Sequence, residues 1–287
     1  MLIRRIATIA ATVVLGGFLG ATLVRLAPGF GVDEQELDSR LRNESIQALR
    51  QSHARERNIA SYYYRYLQGI FRGDLGYSHS LQRPIAELFA QRIPLTFRSV
   101  GMGLLGGWLA ALALALPAGT YRLWDLFSTF LSGLLLCLPS AVIALLFLFV
   151  GGSVSWAIAL VVFPKVFRYT RNLLVETRAM PHVLMARAKG LGPVRILFWH
   201  VLPPALPQIL ALAGVSVSMA FGAAIPIEVI CDSPGIGQLA WQAAVARDLP
   251  LLVNLTVLIT VITLTANAIS DLGVAAATPQ LAVPTRA

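Results

Sequence analysis

"LFSTFLSGLLLCLPSAVIALLFLFVGGSVSWAIALVVFP", residues 126–164, runs for 39 residues without an aspartate, glutamate, lysine or arginine. A membrane helix needs about 20 apolar residues in succession. The run is too long for one crossing and long enough for two. "GGSVSW" at 151–156 supplies the turn between them, since clustered glycines and serines break regular structure. A chain holding such a segment reads as a membrane protein.

Composition agrees: 56% of the 287 residues are hydrophobic and 13% are charged, against about 25% charged in soluble domains. Four more uncharged runs, residues 6–24, 99–120, 196–227 and 249–270, bring the expected total to about six transmembrane helices in an all-α integral membrane protein. The fourth span is the shortest and closes at Lys165 and Arg168. "MLIRR" ahead of the first run also fits a cleaved signal peptide; the length of that run and the spans that follow favour a retained anchor. The expected organisation is an N-terminal anchor at 1–27, an extracytoplasmic loop at 28–94, and a core membrane domain at 95–287.

The net charge of +9 does not point to nucleic acid, because the cations sit where membrane topology puts them. Arg4 and Arg5 precede the first span and place the N-terminus in the cytoplasm. Residues 165–195 carry Lys165, Arg168, Arg171, Arg178, Arg187, Lys189 and Arg195 against the single acid Glu176, which makes the joint between spans four and five cytoplasmic. The 28–94 loop, with nine arginines and eight acids, is nearly neutral and falls outside. Ile46, Leu49, Ile59, Tyr62, Tyr63, Tyr66, Leu67 and Ile70 recur there near a helical period, so one or two amphipathic helices are expected at the outer face, in contact with lipid headgroups or with each other.

Chemistry-bearing patterns are sparse. No G-x-x-x-x-G-K-[ST] phosphate loop, H-E-x-x-H or G-x-S-x-G occurs. Cys137 and Cys231 lack metal or disulfide spacing, and His53, His79, His182 and His200 are scattered. No catalytic group, cofactor or metal is implied. Gly16-x-x-x-Gly20 and Gly103-x-x-x-Gly107 suit close helix packing but are common in apolar segments. In the last span Thr256, Thr260, Thr263 and Asn267 share one helical face; they line a pathway or serve as hydrogen-bonding glue. Glu228 and Asp271 are acids at span ends, where ionisable residues are functional candidates.

The cytoplasmic joint has the most specific pattern. Met180-Pro181 opens a short helix, "HVLMARAK" continues it, and Gly190 stops it in the position where glycine commonly ends helices. A second helical piece, "PVRILFWHVL", precedes Pro203-Pro204. "ARAKGL", followed by "LP" at Leu202-Pro203, resembles the EAA loop of ABC importer permeases, especially the dipeptide, oligopeptide and nickel importers. "GDLGYSHSLQRPIAELFAQRIPLTF" at 73–97 and "SPGIGQLAWQAAVARDLPLL" at 233–252 resemble two further signatures of that family, in the same order.

The resemblance implies one transmembrane permease subunit for peptides or a similar small solute, nickel among them. Its coupling loop, 171–205, would meet a cytoplasmic ABC ATPase through Ala186, Arg187, Ala188, Lys189, Gly190, Leu202 and Pro203. It also implies a second, homologous permease subunit, with a heterodimer favoured over a homodimer. An extracytoplasmic solute-binding protein, contact with membrane lipid and location in a prokaryotic cytoplasmic membrane follow from it too. Three departures stand out: the EAA triplet reads Leu184-Met185-Ala186, the connection between spans three and four is short, and the chain's end lacks the family's usual closing segment. A stand-alone secondary transporter or channel is the alternative; it would need inverted repeats or mid-membrane charges.

Overall fold

The computed structural model describes residues 72–117 and 120–278, and upstream of them only 12, 15–18, 22, 66, 68 and 69. The first apolar run and the amphipathic outer-loop helices therefore lie largely outside the described residues. The described ordered chain is helical apart from one two-stranded hairpin. Its helices are α1 (Ile85–Ala115), α2 (Arg122–Cys137), α3 (Ser140–Val150), α4 (Val154–Arg178), α5 (Pro181–Ala188), α6 (Pro193–Ile196), α7 (Leu202–Ile230), α8 (Ile236–Val245) and α9 (Leu249–Ala277). Three stretches, α1, Pro193–Ile230 and α9, are long and apolar enough to cross a membrane, or four if α2 and α3 form one span. Large exposed apolar side chains such as Leu123, Phe130 and Phe149 suit contact with hydrocarbon.

The 126–164 run folds differently from the two simple spans expected of it. The turn at Gly151 is present: Gly151 takes φ 69°, and Gly152 N donates to the Phe147 carbonyl at 2.7 Å. A second break lies at Leu138-Pro139, where α2 and α3 meet at 97°. Proline disfavours helical backbone in the residue before it, and Leu138 is extended at φ −86°, ψ 121°. The expected third span is thus two helices. At α2's 16 residues and α3's 11, they reach about 24 and 16 Å. The helix expected to close at Lys165 does not; α4 continues through Pro164 to Arg178, and it is not among the stretches long and apolar enough to cross a membrane. The 196–227 run passes through Pro203-Pro204, because prolines are tolerated in the first turn of a helix and α7 starts there.

Contacts group the chain into two units: Met1–Pro94 with Leu239–Val261, and Leu95–Gln238 with Ile262–Ala287. In the first, strands β1 (Tyr77–Ser78) and β2 (Arg83–Pro84) pair antiparallel, Tyr77 opposite Pro84 and Ser78 opposite Arg83. Thr260 of α9 would stand 3.8 Å from a Cβ on Gly16.

In the second unit α4 is the hub, packing on α7, α2 and α3. Its buried face is Ala157, Ile158, Val162, Val166, Phe167 and Leu174. The stretch of α1 in this unit meets it through a stripe of small residues: a Cβ on Gly103 would lie 2.8 Å from Ile158 Cβ, and one on Gly107 3.1 Å from the Ala159 carbonyl. Close backbone approach of this kind is how small residues pack membrane helices. Trp108 Nε1 donates to Ser216 Oγ of α7 at 3.0 Å. Two arginines of α4 then tie down neighbouring chain ends. Arg171 pairs both carboxylate oxygens of Asp125, and Arg178 donates to Thr120 Oγ1 at 2.9 Å and the Leu116 carbonyl at 2.7 Å.

Candidate functional site

The joint between α4 and α7 is built on two prolines and one left-handed glycine. Pro181 and Pro193 stand in the first turns of α5 and α6, where a missing N–H costs nothing. Gly190 takes φ 74°, a conformation that costs other residues roughly 1–2 kcal/mol. It closes α5 by donating to the Arg187 carbonyl at 2.9 Å, while Leu191 N reaches the Ala186 carbonyl at 3.3 Å.

The two faces of α5 differ. Val183 and Ala186 are buried and dock the helix on its own chain, whereas Leu184, Met185, Arg187, Ala188, Lys189 and Gly190 are exposed. Of the coupling residues read from the sequence, Ala186 therefore faces inward and the next four face out. Leu202 is half-buried and Pro203 exposed. Leu184 and Met185, 53% and 63% exposed, add an apolar edge at the two triplet positions where the chain departs from the EAA pattern.

Between α6 and α7 the chain winds as a π-turn, Leu197–Val201, with Leu202 N donating to the Leu197 carbonyl. The reason lies one turn ahead: Pro203 and Pro204 have no N–H, so ordinary α-helical partners for the Trp199 and His200 carbonyls do not exist. His182 Nε2 of α5 supplies the donor to the His200 carbonyl at 3.0 Å. The proline pair thereby fastens α5 to the start of α7. Val194, Arg195, Phe198 and Trp199 beside it line an open groove of about 870 Å³, with Trp199 75% exposed.

Two further constellations explain the other signatures. Glu228, wholly buried near the end of α7, accepts from Thr96 Oγ1 at 2.8 Å and Gly237 N at 2.7 Å. Thr96 Oγ1 in turn accepts from Ile236 N at 2.7 Å. The glycines of "SPGIG" leave room for that carboxylate: a Cβ on Gly235 would collide with it, and one on Gly237 would lie 2.6 Å from Ile225 Cα.

In the other unit, Asp248 caps α9 through Leu251 N at 3.1 Å and collects the β-hairpin through Ser78 Oγ at 2.6 Å, Ser80 N at 3.0 Å and Ser80 Oγ at 2.8 Å. Asn254 donates to the Leu75 carbonyl at 3.0 Å and accepts from Tyr66. "GDLGYSHS" and "RDLPLL" are thus two halves of one clamp.

Thr256, Thr260, Thr263 and Asn267 of α9 are all half-buried. Thr256 and Thr260 donate to the Leu252 and Thr256 carbonyls of their own helix. Asn267 Oδ1 would stand 2.7 Å from a Cβ on Gly214 of α7, and Ser270 Oγ donates to the Leu210 carbonyl there. No group of three or more potential metal-ligating side chains occurs among the described residues.

Sequence comparison supplies the family to which these elements belong. Residues 103–283 match the family described as "Binding-protein-dependent transport system inner membrane component". The chain belongs to this family and is a permease subunit of an ABC importer. Among its relatives, the oligopeptide transport system permease protein AppB of Bacillus subtilis is 26% identical, over 76% of this chain and 79% of that protein. The dipeptide transport system permease protein DppB of Lactococcus lactis is 24% identical over 98% of both. The oligopeptide transport system permease protein OppB of Escherichia coli is 28% identical over 70% of this chain and 73% of that protein.

Proposed function

We propose that the chain is one of two permease subunits of a peptide importer, spanning the cytoplasmic membrane six times with its N-terminus in the cytoplasm. Separate ATPase subunits hydrolyse ATP on the cytoplasmic side. Their movement enters the membrane helices through α5, the π-turn and α7, and a solute-binding protein delivers cargo at the opposite face. A paralogous permease completes the pathway.

The observation that carries this reading is the division of α5. Val183 and Ala186 and the His182–His200 bond hold it to the chain, while Leu184, Met185, Arg187 and Lys189 project outward. An apolar edge flanked by cations suits a cleft with acidic rims on a partner, and Gly190 allows the helix to tilt against its connection. The peptide cargo is inferred from the three relatives, each of them named as a peptide permease. Thr256, Thr260 and Asn267 of α9 act on this reading as helix-packing residues; lining of the pathway falls to another helix.

Gentle extraction of the tagged chain from its native membrane, with mass spectrometry of its companions, tests the assembly. A P-loop ATPase and a second six-span permease are expected. Recovery of the chain alone, under conditions that keep other importers intact, would favour a stand-alone transporter.

A further inference from the structure

Lys165 stands in the middle of α4. Val154 begins that helix beside the exposed Trp156, a residue type enriched at membrane interfaces. On the six-span reading above, in which α4 crosses the membrane from Val154, Lys165 follows about 16 Å further along the axis, near the midplane of a hydrocarbon core about 30 Å thick. Its neighbours Pro164, Val166 and Phe167 are buried, but Lys165 is exposed. It makes no hydrogen bond or ion pair among the described residues. A charge at that depth persists where it faces water or a counter-charge, and such residues mark solute pathways.

A cavity of about 450 Å³ opens beside it. The Leu138-Pro139 break creates it, by turning α3 away from the line of α2. The lining includes Leu135, Ser140, Val161, Met219 and Gly222 as well as Lys165. Lys165 is the one ionisable group in that wall, and the Ser140 hydroxyl adds a hydrogen-bonding partner. Below Lys165, α4 continues with exposed Arg168, Tyr169 and Asn172, spaced three or four residues apart on one face. Between Ser155 and Lys165 that helix has no polar side chain. Lys165 is therefore the innermost member of a polar track that leads from the α5 end of the molecule to the cavity.

We propose that Lys165 and this cavity form a cargo subsite for a carboxylate on an apolar body, specifically the free C-terminus of a peptide with its last side chain against Leu135, Val161 and Met219. This rests on the peptide-importer reading above. An ammonium acts as a compact point charge for one carboxylate. The cavity lies within the size range of small-molecule sites and suits one or two residues. An open, amphipathic subsite also fits a protein that must release what it binds.

The test uses the complete importer, reconstituted in vesicles with its partner permease, ATPases and solute-binding protein. Uptake of trialanine and of trialanine amide is measured for wild type, Lys165→Gln and Lys165→Arg. The acid-to-amide uptake ratio is compared between variants, which cancels any preference of the solute-binding protein. The ratio should fall about tenfold in Lys165→Gln, the worth of one charge-assisted hydrogen bond, and be restored in Lys165→Arg. An unchanged ratio in Lys165→Gln overturns the subsite, whether total uptake stays normal or both peptides are lost equally. Uptake of neither peptide by wild type overturns the peptide-importer reading instead, and the cargo assigned to Lys165 with it.

Discussion

Thr96 and Glu228, separated by 132 residues, are joined in the protein interior by a 2.8 Å hydrogen bond from the threonine hydroxyl to the carboxylate. The same hydroxyl receives Ile236 N and the same carboxylate receives Gly237 N. The loop after α7 is thereby locked to α1 and to the end of α7 through one carboxylate. A buried ionisable group is tolerated when it is hydrogen-bonded, and here the glycine-rich backbone supplies the second donor.

Glu228→Ala leaves Thr96 and Gly237 N without their acceptor in a dry site. A loss of about 1–3 kcal/mol is expected, since each buried polar group left unmade carries a cost of that order. Glu228→Gln keeps one acceptor oxygen for Gly237 N while its amide NH2 can donate to the Thr96 hydroxyl, and should lose less. Thermal unfolding of the purified complex ranks the variants; equal melting temperatures for Ala and wild type would remove the carboxylate from the account.

Asp248 holds both the start of α9 and the β-hairpin. Asp248→Ala removes a helix cap and the charge-assisted bonds from Ser78 and Ser80, together worth about 2–4 kcal/mol. Limited proteolysis should then cut faster within residues 72–84. Asp248→Asn, which can still cap, should be intermediate. Identical cleavage rates in all three proteins would show that the hairpin is held elsewhere.

Arg171 holds the Asp125 carboxyl below its usual range, chiefly through its hydrogen bonds. Asp125 lies in the first turn of α2, ahead of the apolar run. With its folded pKa below the unfolded value of about 3.9, the pair contributes stability above that pH and loses it as pH falls through the folded value. The side chains keep 24% and 21% exposure, so about 1 kcal/mol is expected rather than a buried-pair figure. Asp125→Asn should lower the melting temperature at pH 7 by an amount that shrinks toward pH 3. A gap that is constant with pH would mean packing, not charge.

Much of the fold was open to inspection in the chain itself. Uncharged length marked α1, α7 and α9, Gly151 marked the turn before α4, and Pro181 with Gly190 marked α5, because each depends on local backbone preference or hydropathy. The break at Leu138-Pro139 was not, since membrane helices often carry proline without breaking. Lys165 reads in sequence as a boundary because charge usually ends a span; in the fold it lies inside α4, which runs on to Arg178. The π-turn ahead of Pro203-Pro204, and the donor His182 gives the His200 carbonyl, have no local sequence signal. The Thr96–Glu228 and Ser78–Asp248 pairs bridge distant segments, and no local period announces them. The quoted signatures contained Ser78, Thr96 and Asp248, though not Glu228, as motifs whose reason became visible only in three dimensions.

Coupling through the α5 joint is the central claim, and Gly190→Leu tests it most directly. The site has open space for a side chain, so the burden falls on its φ of 74° and amounts to roughly 1–2 kcal/mol, too little to unfold the spans. Reconstituted with its partners, the variant should assemble and hydrolyse ATP, while peptide uptake per ATP falls at least about tenfold, a coupling loss of about 1.4 kcal/mol. Normal uptake per ATP in the assembled variant would contradict coupling through this joint.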